Sequence, residues 1–166
     1  VSNEIAKVSI PPRNFQLVLS DGSSIPVPPN SVDVAYSYQL VEHLHPDDAF
    51  EQLQNIHNTV VPGGIYICIT SNQLTGPHDI SKYFDETATG LHLKEYTTQE
   101  LSDLFRKVGF SRVEVYIGAR GKYARLPVFP VALCEIVLGE LRSVFRKIAG
   151  GKLPLLLPDI RLIGVK

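Results

Sequence analysis

Titratable side chains gather at three places in the sequence. The first is the run Val34-Ala35-Tyr36-Ser37-Tyr38-Gln39-Leu40-Val41-Glu42-His43-Leu44, where a carboxylate and an imidazole stand side by side. An imidazole titrates near neutrality, which makes His43 a candidate general base; Glu42 and His43 can equally brace a loop by hydrogen bonds. The second is the stretch 71–96, which has no helical or strand period and carries His78, Asp79, Tyr83 and His92. A loop that long in a compact domain is usually functional or disordered. The third is Ser20-Asp21-Gly22-Ser23, a turn signal with a carboxylate in it. Cys68 and Cys134 have no metal-ligand spacing and no sequence support for a disulfide, so the sequence predicts reduced structural thiols and no metal site.

Something must position these groups. Phe15–Leu19 has the apolar, β-prone character of a short strand, Pro26, Pro28 and Pro29 make the following stretch a loop, and Val32–Tyr36 reads as the next strand. His45-Pro46-Asp47-Asp48 opens a helix with proline where no amide partner is needed and two carboxylates at the positive end of the dipole. Its apolar stripe is Ala49, Phe50, Leu53, Ile56 and Val60, and Pro62-Gly63-Gly64 stops it. Ile65–Thr70 is dense enough for a central strand. Thr97-Thr98-Gln99-Glu100 is a capping box before the stripe Leu101, Leu104, Phe105 and Val108, with Gly109 as the stop. Arg112–Ile117 and Ile160–Val165 read as strands, Leu133–Ile148 as an apolar helix, and Ser2–Val8 as a helix stub. Strand and helix alternating in this rhythm predict an α/β sheet, mainly parallel, with helices on both faces. Ligand sites in such sheets lie beyond the C-terminal strand ends, where Asp21 and Ser37 fall.

From Phe15 to Asn72 the chain resembles the middle of a class I, type 11-like S-adenosylmethionine-dependent methyltransferase, and the likeness extends over about residues 1–117. The resemblance implies an incomplete Rossmann-like sheet closed by an antiparallel C-terminal strand. It places Asp21 and Gly22 on the adenine of S-adenosylmethionine, and Ser37, Tyr38 and Gln39 around its methionine half. It makes His78, Asp79, Tyr83 and His92 substrate-side groups where a methyl acceptor of unknown identity enters. The family's glycine-rich strand-to-helix turn, which lets backbone approach the cofactor closely, is missing from these 166 residues. With no Met anywhere and Val1 first, a fragment is expected: the C-terminal part of a methyltransferase domain, inactive in isolation.

Composition agrees with a single globular domain: 44% of residues are apolar and 20% charged, and the uncharged apolar run from Leu126 to Cys134 is too short to span a bilayer. A core-like part (1–117), a basic and apolar insertion (118–159) and a last strand (160–166) are expected. No signal-peptide pattern follows Val1, and a cytoplasmic location is expected. Residues 1–117 carry 7 basic and 14 acidic side chains, a net −7, whereas residues 118–166 carry 9 and 3, a net +6. The segment Lys122–Lys152 is accordingly a candidate docking surface and, less so, a membrane-surface anchor. No aromatic-interleaved basic stripe points to nucleic acid. A sheet lacking the family's first strands exposes an edge, so a non-catalytic interaction module that dimerises through that edge is the alternative.

Overall fold

The computed structural model describes residues 14, 16–119, 121–140 and 159–166. Five strands form one sheet in the order β1-β2-β5-β3-β4. They are β1 (Val32–Tyr38), β2 (Val60–Ser71), β3 (Arg112–Ala119), β4 (Lys122–Leu126) and β5 (Asp159–Val165). The helices are α1 (Pro46–Thr59), α2 (Thr98–Val108) and α3 (Val128–Gly139), with short 3-10 turns at Val41–His43, Gln73–Thr75 and Ile80–Tyr83.

The expectation of a mainly parallel sheet needs correction. β1 and β2 are parallel, and the last strand β5 lies antiparallel as the resemblance implies, between β2 and β3; with β4 also folding back antiparallel on β3, the antiparallel pairs outnumber the parallel one. β1, β2 and β3 still share one direction; β5 separates the third from the other two. β4 was read only as part of the insertion, and a hairpin carries it, with Gly121 at φ +79 in the turn.

Helices on both faces are also not what the described residues show. Along β2 the even-numbered Tyr66, Cys68 and Thr70 are fully buried, while Ile65, Ile67 and Ile69 are half-buried on the opposite face. β3 and β5 repeat the alternation, burying Val113, Val115 and Ile117, and Ile160 and Leu162. All three helices feed that one core: Leu53 and Ile56 from α1, Leu101 and Phe105 from α2, Val128 and Val131 from α3. Gly164 makes room for it, since a Cβ there would sit 2.7 Å from Phe105. Tyr66 stacks on Phe105 at 5.2 Å and 9°. The second face has no helix over it among the described residues.

Residues 16–19 form no strand, and Phe15 lies outside the described residues. A strand needs a ladder partner, and among the described residues β1 pairs with β2 and not with this segment. Pro62-Gly63-Gly64 does not separate helix from strand as expected: α1 ends at Thr59 and β2 already begins at Val60. The three residues instead form an irregularity in β2, whose pairing with β1 passes from Val32↔Val60 to Val34↔Ile65. Gly64 is needed there because a Cβ would lie 2.8 Å from the Asp33 carbonyl.

The capping box is present in full, with the Glu100 amide donating to Thr97 and Gly109 ending α2 in the left-handed region. His45 caps α1, and Asp47 and Asp48 occupy its first turn. α3 starts five residues before the predicted Leu133; the remainder of that prediction, the helix stub 2–8 and most of the tail toward Lys152 lie outside the described residues.

Candidate functional site

β1 leaves the sheet beside β2 and turns sharply. Gln39 makes the turn at φ +50, an uncommon conformation for a residue with a side chain. Its amide donates to the Ile69 carbonyl at 2.8 Å. Its side chain then ties three strand mouths together: the Ser71 hydroxyl donates to Oε1 at 2.9 Å, and Nε2 donates to Asp159 Oδ1 at 3.3 Å. Of the five residues that the resemblance places at the cofactor, Gln39 sits most centrally.

Gly22 and Ser37 line one cavity of about 470 Å³ on the α1 side of β1, together with Ile25, Ala35 and Tyr66. The loop is pinned to α1, since Gln52 Nε2 donates to the Gly22 carbonyl at 2.6 Å and Asn55 Nδ2 to the Ser23 carbonyl at 3.0 Å. Asp21 Oδ1 is occupied within its own turn by the Ser23 and Ser24 amides at 3.1 and 2.7 Å and the Ser24 hydroxyl at 2.7 Å. The Ser24 hydroxyl and amide together hold its carboxyl below the ordinary value. Ser37 shares its hydroxyl with the Tyr66 hydroxyl at 2.7 Å inside the core. Tyr38 projects outward from the sheet, 58% exposed. The cavity therefore gathers Gly22 and Ser37, the strand mouths gather Gln39 and Ser71, and the side chains of Asp21 and Tyr38 point to neither.

Past Gln39 the chain enters the turn Val41–His43. Glu42 is fully buried; Thr70 Oγ1 donates to its Oε2 at 2.7 Å, and Oε1 has no partner among the described residues. Its backbone carbonyl accepts from the Leu93 and Lys94 amides at 2.8 and 3.2 Å, which draws the 90s loop over the turn. The His43 and His92 rings meet edge to face at 4.8 Å. His43 Nδ1 donates to the Leu91 carbonyl at 3.1 Å, and His92 Nδ1 donates to Glu95 Oε1 at 2.7 Å.

Asp79 is the clasp of this arrangement. Its Oδ2 accepts the amides of Gly90, Leu91 and His92 at 3.1, 2.6 and 3.1 Å, and its Oδ1 accepts the Ser81 amide at 2.9 Å. Burial opposes ionisation, but the His92 amide, the Ser81 amide and hydroxyl and the Leu91 amide outweigh it and hold the carboxyl well below its ordinary range. Asp79 positions the loop; its oxygens are turned to backbone and not to a cleft.

His78 is held from three sides, with its ring on Thr75 Oγ1 at 2.9 Å and the Asn72 carbonyl at 3.1 Å, and its amide on Glu95 at 2.7 Å. Tyr83 is 77% exposed under the Lys82 ammonium and lines neither cavity described here. Of the four predicted substrate-side residues, only His92 meets His43.

Sequence reasoning passed over Thr70, Glu95 and Glu135. Glu95 serves His92 and His78 at once. Glu135, on α3, accepts the Thr98 amide at 2.9 Å and Asn72 Nδ2 at 2.8 Å, docking α3 onto the start of α2. Burial pushes its carboxyl above the ordinary value. A cleft of about 590 Å³ runs between Gln73, Gly76, Lys94, Glu95 and Glu135. Thr70 and Glu135 carry no signal at sequence level because their partners lie far along the chain, and Glu95, three residues from His92, sits in no periodic element that would mark it.

Residues 2–68 match the family model described as "Methyltransferase domain". A curated protein of Mycolicibacterium smegmatis named "Probable S-adenosylmethionine-dependent methyltransferase/" is 30% identical over 88 residues, covering 53% of this chain and 32% of that protein. The chain thus spans about a third of the length of the curated relative it matches. Among solved structures, a SAM-dependent methyltransferase from Thermotoga maritima superposes with a TM-score of 0.56 at 16% identity, covering 89% of this chain and 62% of that one. One from Archaeoglobus fulgidus gives 0.55 at 18%, covering 92% and 68%. At those identities the structures speak for the fold, an α/β arrangement with Rossmann-like methyltransferase neighbours.

Proposed function

We propose, from the premise that this chain is a relative of the class I S-adenosylmethionine-dependent methyltransferases, that it forms the methionine-side and acceptor-side part of a methyl-transfer site. The carrying observation is Gln39, whose strained backbone and two side-chain bonds join the mouths of β1, β2 and β5 next to the cavity of Gly22 and Ser37. A sulfonium methyl needs little activation, so the protein's part is to align acceptor and methyl and, for a hydroxyl, to remove a proton. His43 stands on the acceptor side. Its ring is held at an exposed position by the Nδ1 bond to the Leu91 carbonyl.

In isolation the chain binds S-adenosylmethionine weakly and is inactive, because it supplies no glycine-rich backbone cradle. Each missing charge-assisted hydrogen bond is worth about 1.5–3 kcal/mol. Amide NMR tests the reading: millimolar S-adenosylhomocysteine should shift Gly22, Ser37, Tyr38, Gln39 and Ser71. Shifts confined to other regions would refute the site, and a low-micromolar dissociation constant by calorimetry would refute the incompleteness.

A non-catalytic interaction module is the second reading, and β1 favours it. Among the described residues β1 is an edge strand, and its Val34, Tyr36 and Tyr38 are 54%, 61% and 58% exposed. An apolar, unpaired edge pairs readily with a second copy. Light scattering should give a dimer that Val34→Lys dissociates; a monomer at high concentration counts against it.

A further inference from the structure

We propose that Glu42, His43 and His92 bind one divalent first-row transition cation. One ring nitrogen of each histidine and a carboxylate oxygen of Glu42 lie within 4.8 Å of one another, in a group drawn from two segments some fifty residues apart. The hydrogen bonds around the group set its chemistry. The Leu91 carbonyl can only accept, so Nδ1 of His43 must carry the proton, and Nε2 is the nitrogen left for a ligand. The Glu95 carboxylate makes the same demand of His92. Glu42 adds an oxygen that is fully buried and has no hydrogen-bond partner among the described residues.

Acceptors grouped with no donor between them disfavour one another, and a buried carboxylate oxygen left without a donor is costly. A cation reverses both effects. Two imidazoles and one carboxylate form a borderline nitrogen and oxygen set that suits zinc, iron, cobalt or manganese, whereas calcium and magnesium prefer all-oxygen shells.

The surroundings have the character of a metal site's outer shell. Metal-binding histidines typically give their second N–H to a carboxylate or a backbone carbonyl, and both occur here. Thr70 fixes the other oxygen of Glu42, and Asp79 holds the amide of His92. The frame is thus rigid on the Glu42 and His92 sides. In a tetrahedral shell with bonds of about 2.1 Å, ligand atoms stand about 3.4 Å apart, so a group spread over up to 4.8 Å must contract by as much as about 1.4 Å. His43 is exposed, so of the three ligands its ring has the most room to shift toward the other two. Three protein ligands leave at least one coordination position open on that exposed side, for water or an oxygen or nitrogen ligand.

The site is testable without cofactor or methyl acceptor, so its failure and that of the methyl-transfer reading are separable. Chelator-stripped protein titrated with Co(II) should bind one equivalent with micromolar or tighter affinity. The complex should show visible d–d absorption that Zn(II) abolishes and excess Mg(II) does not. Glu95→Gln should weaken binding about 10–100-fold. His43→Ala, at an exposed position that circular dichroism should find folded, should weaken it at least as much. His45→Ser, which keeps a capping side chain on α1, should leave it unchanged. Absence of stoichiometric binding in folded protein, or equal affinity in His43→Ala, would overturn the assignment.

Discussion

Asp79→Ala is the sharpest probe of how the site is held. The substitution deprives four backbone amides of their acceptor, and the structure separates what each loss costs. Gly90 and Leu91 are exposed, so water replaces the carboxylate at little cost. His92 is buried, and leaving its amide orphaned costs about 1–3 kcal/mol. Loss of the cap on the Ser81 amide adds about 1 kcal/mol. The expected destabilisation is therefore about 2–4 kcal/mol, which for a chain of this size lowers Tm by roughly 5–15 °C. Urea unfolding at neutral pH measures it directly. The pH dependence gives a second readout. A carboxyl depressed in the native state contributes stability in full above its ordinary pKa of 3.8 and loses it as pH falls from there toward the lower native value. Part of the acid-side fall in stability should thus disappear in the variant. A destabilisation within about 0.5 kcal/mol, as for an ordinary surface change, would refute the clasp.

Two further expectations follow from close approaches and burial. Gly76→Ala would drive a Cβ into Glu95 Oε2 and displace the carboxylate that holds His92 and His78, costing about 1–3 kcal/mol by denaturant unfolding; an unchanged midpoint would show that the loop yields freely. Burial pushes the Cys68 thiol up to about 11, whereas Cys134 is exposed, so a thiol reagent at pH 8 should modify Cys134 at once and Cys68 only on unfolding; rapid reaction of both would contradict the buried strand.

What could be read from the sequence was whatever is decided locally. The capping box at Thr97 and Glu100, the opening of α1 at His45-Pro46 and the apolar runs of β1 and β2 each rest on residues within a few positions of one another. Strand direction does not. The antiparallel β5 was expected from the family resemblance and not from its own residues, since an alternating segment such as Asp159–Val165 serves either way. The strand expected at 15–19 failed for a related reason. Its apolar character was legible, but a strand is a property of a pair, and β1 offers the described loop no ladder.

The site follows the same division at finer scale. Glu42-His43 was visible as a dipeptide, yet its chemistry arises only when His92 arrives from the 90s loop. Three features bring it there: the Glu42 carbonyl receiving the Leu93 and Lys94 amides, the Asp79 carboxylate gathering Gly90, Leu91 and His92, and Glu95 gripping the ring. The first two join a carbonyl or side chain to backbone amides, which every sequence has, so no residue pattern encodes the pairing. Asp79 and Glu95 consequently look in the sequence like loop polarity, although they are the groups that aim the imidazoles. The division also orders the losses expected on substitution. Removing an aiming carboxylate should disperse the cluster while His43 and His92 remain chemically intact, whereas removing His43 should leave a well-positioned His92 without its neighbour.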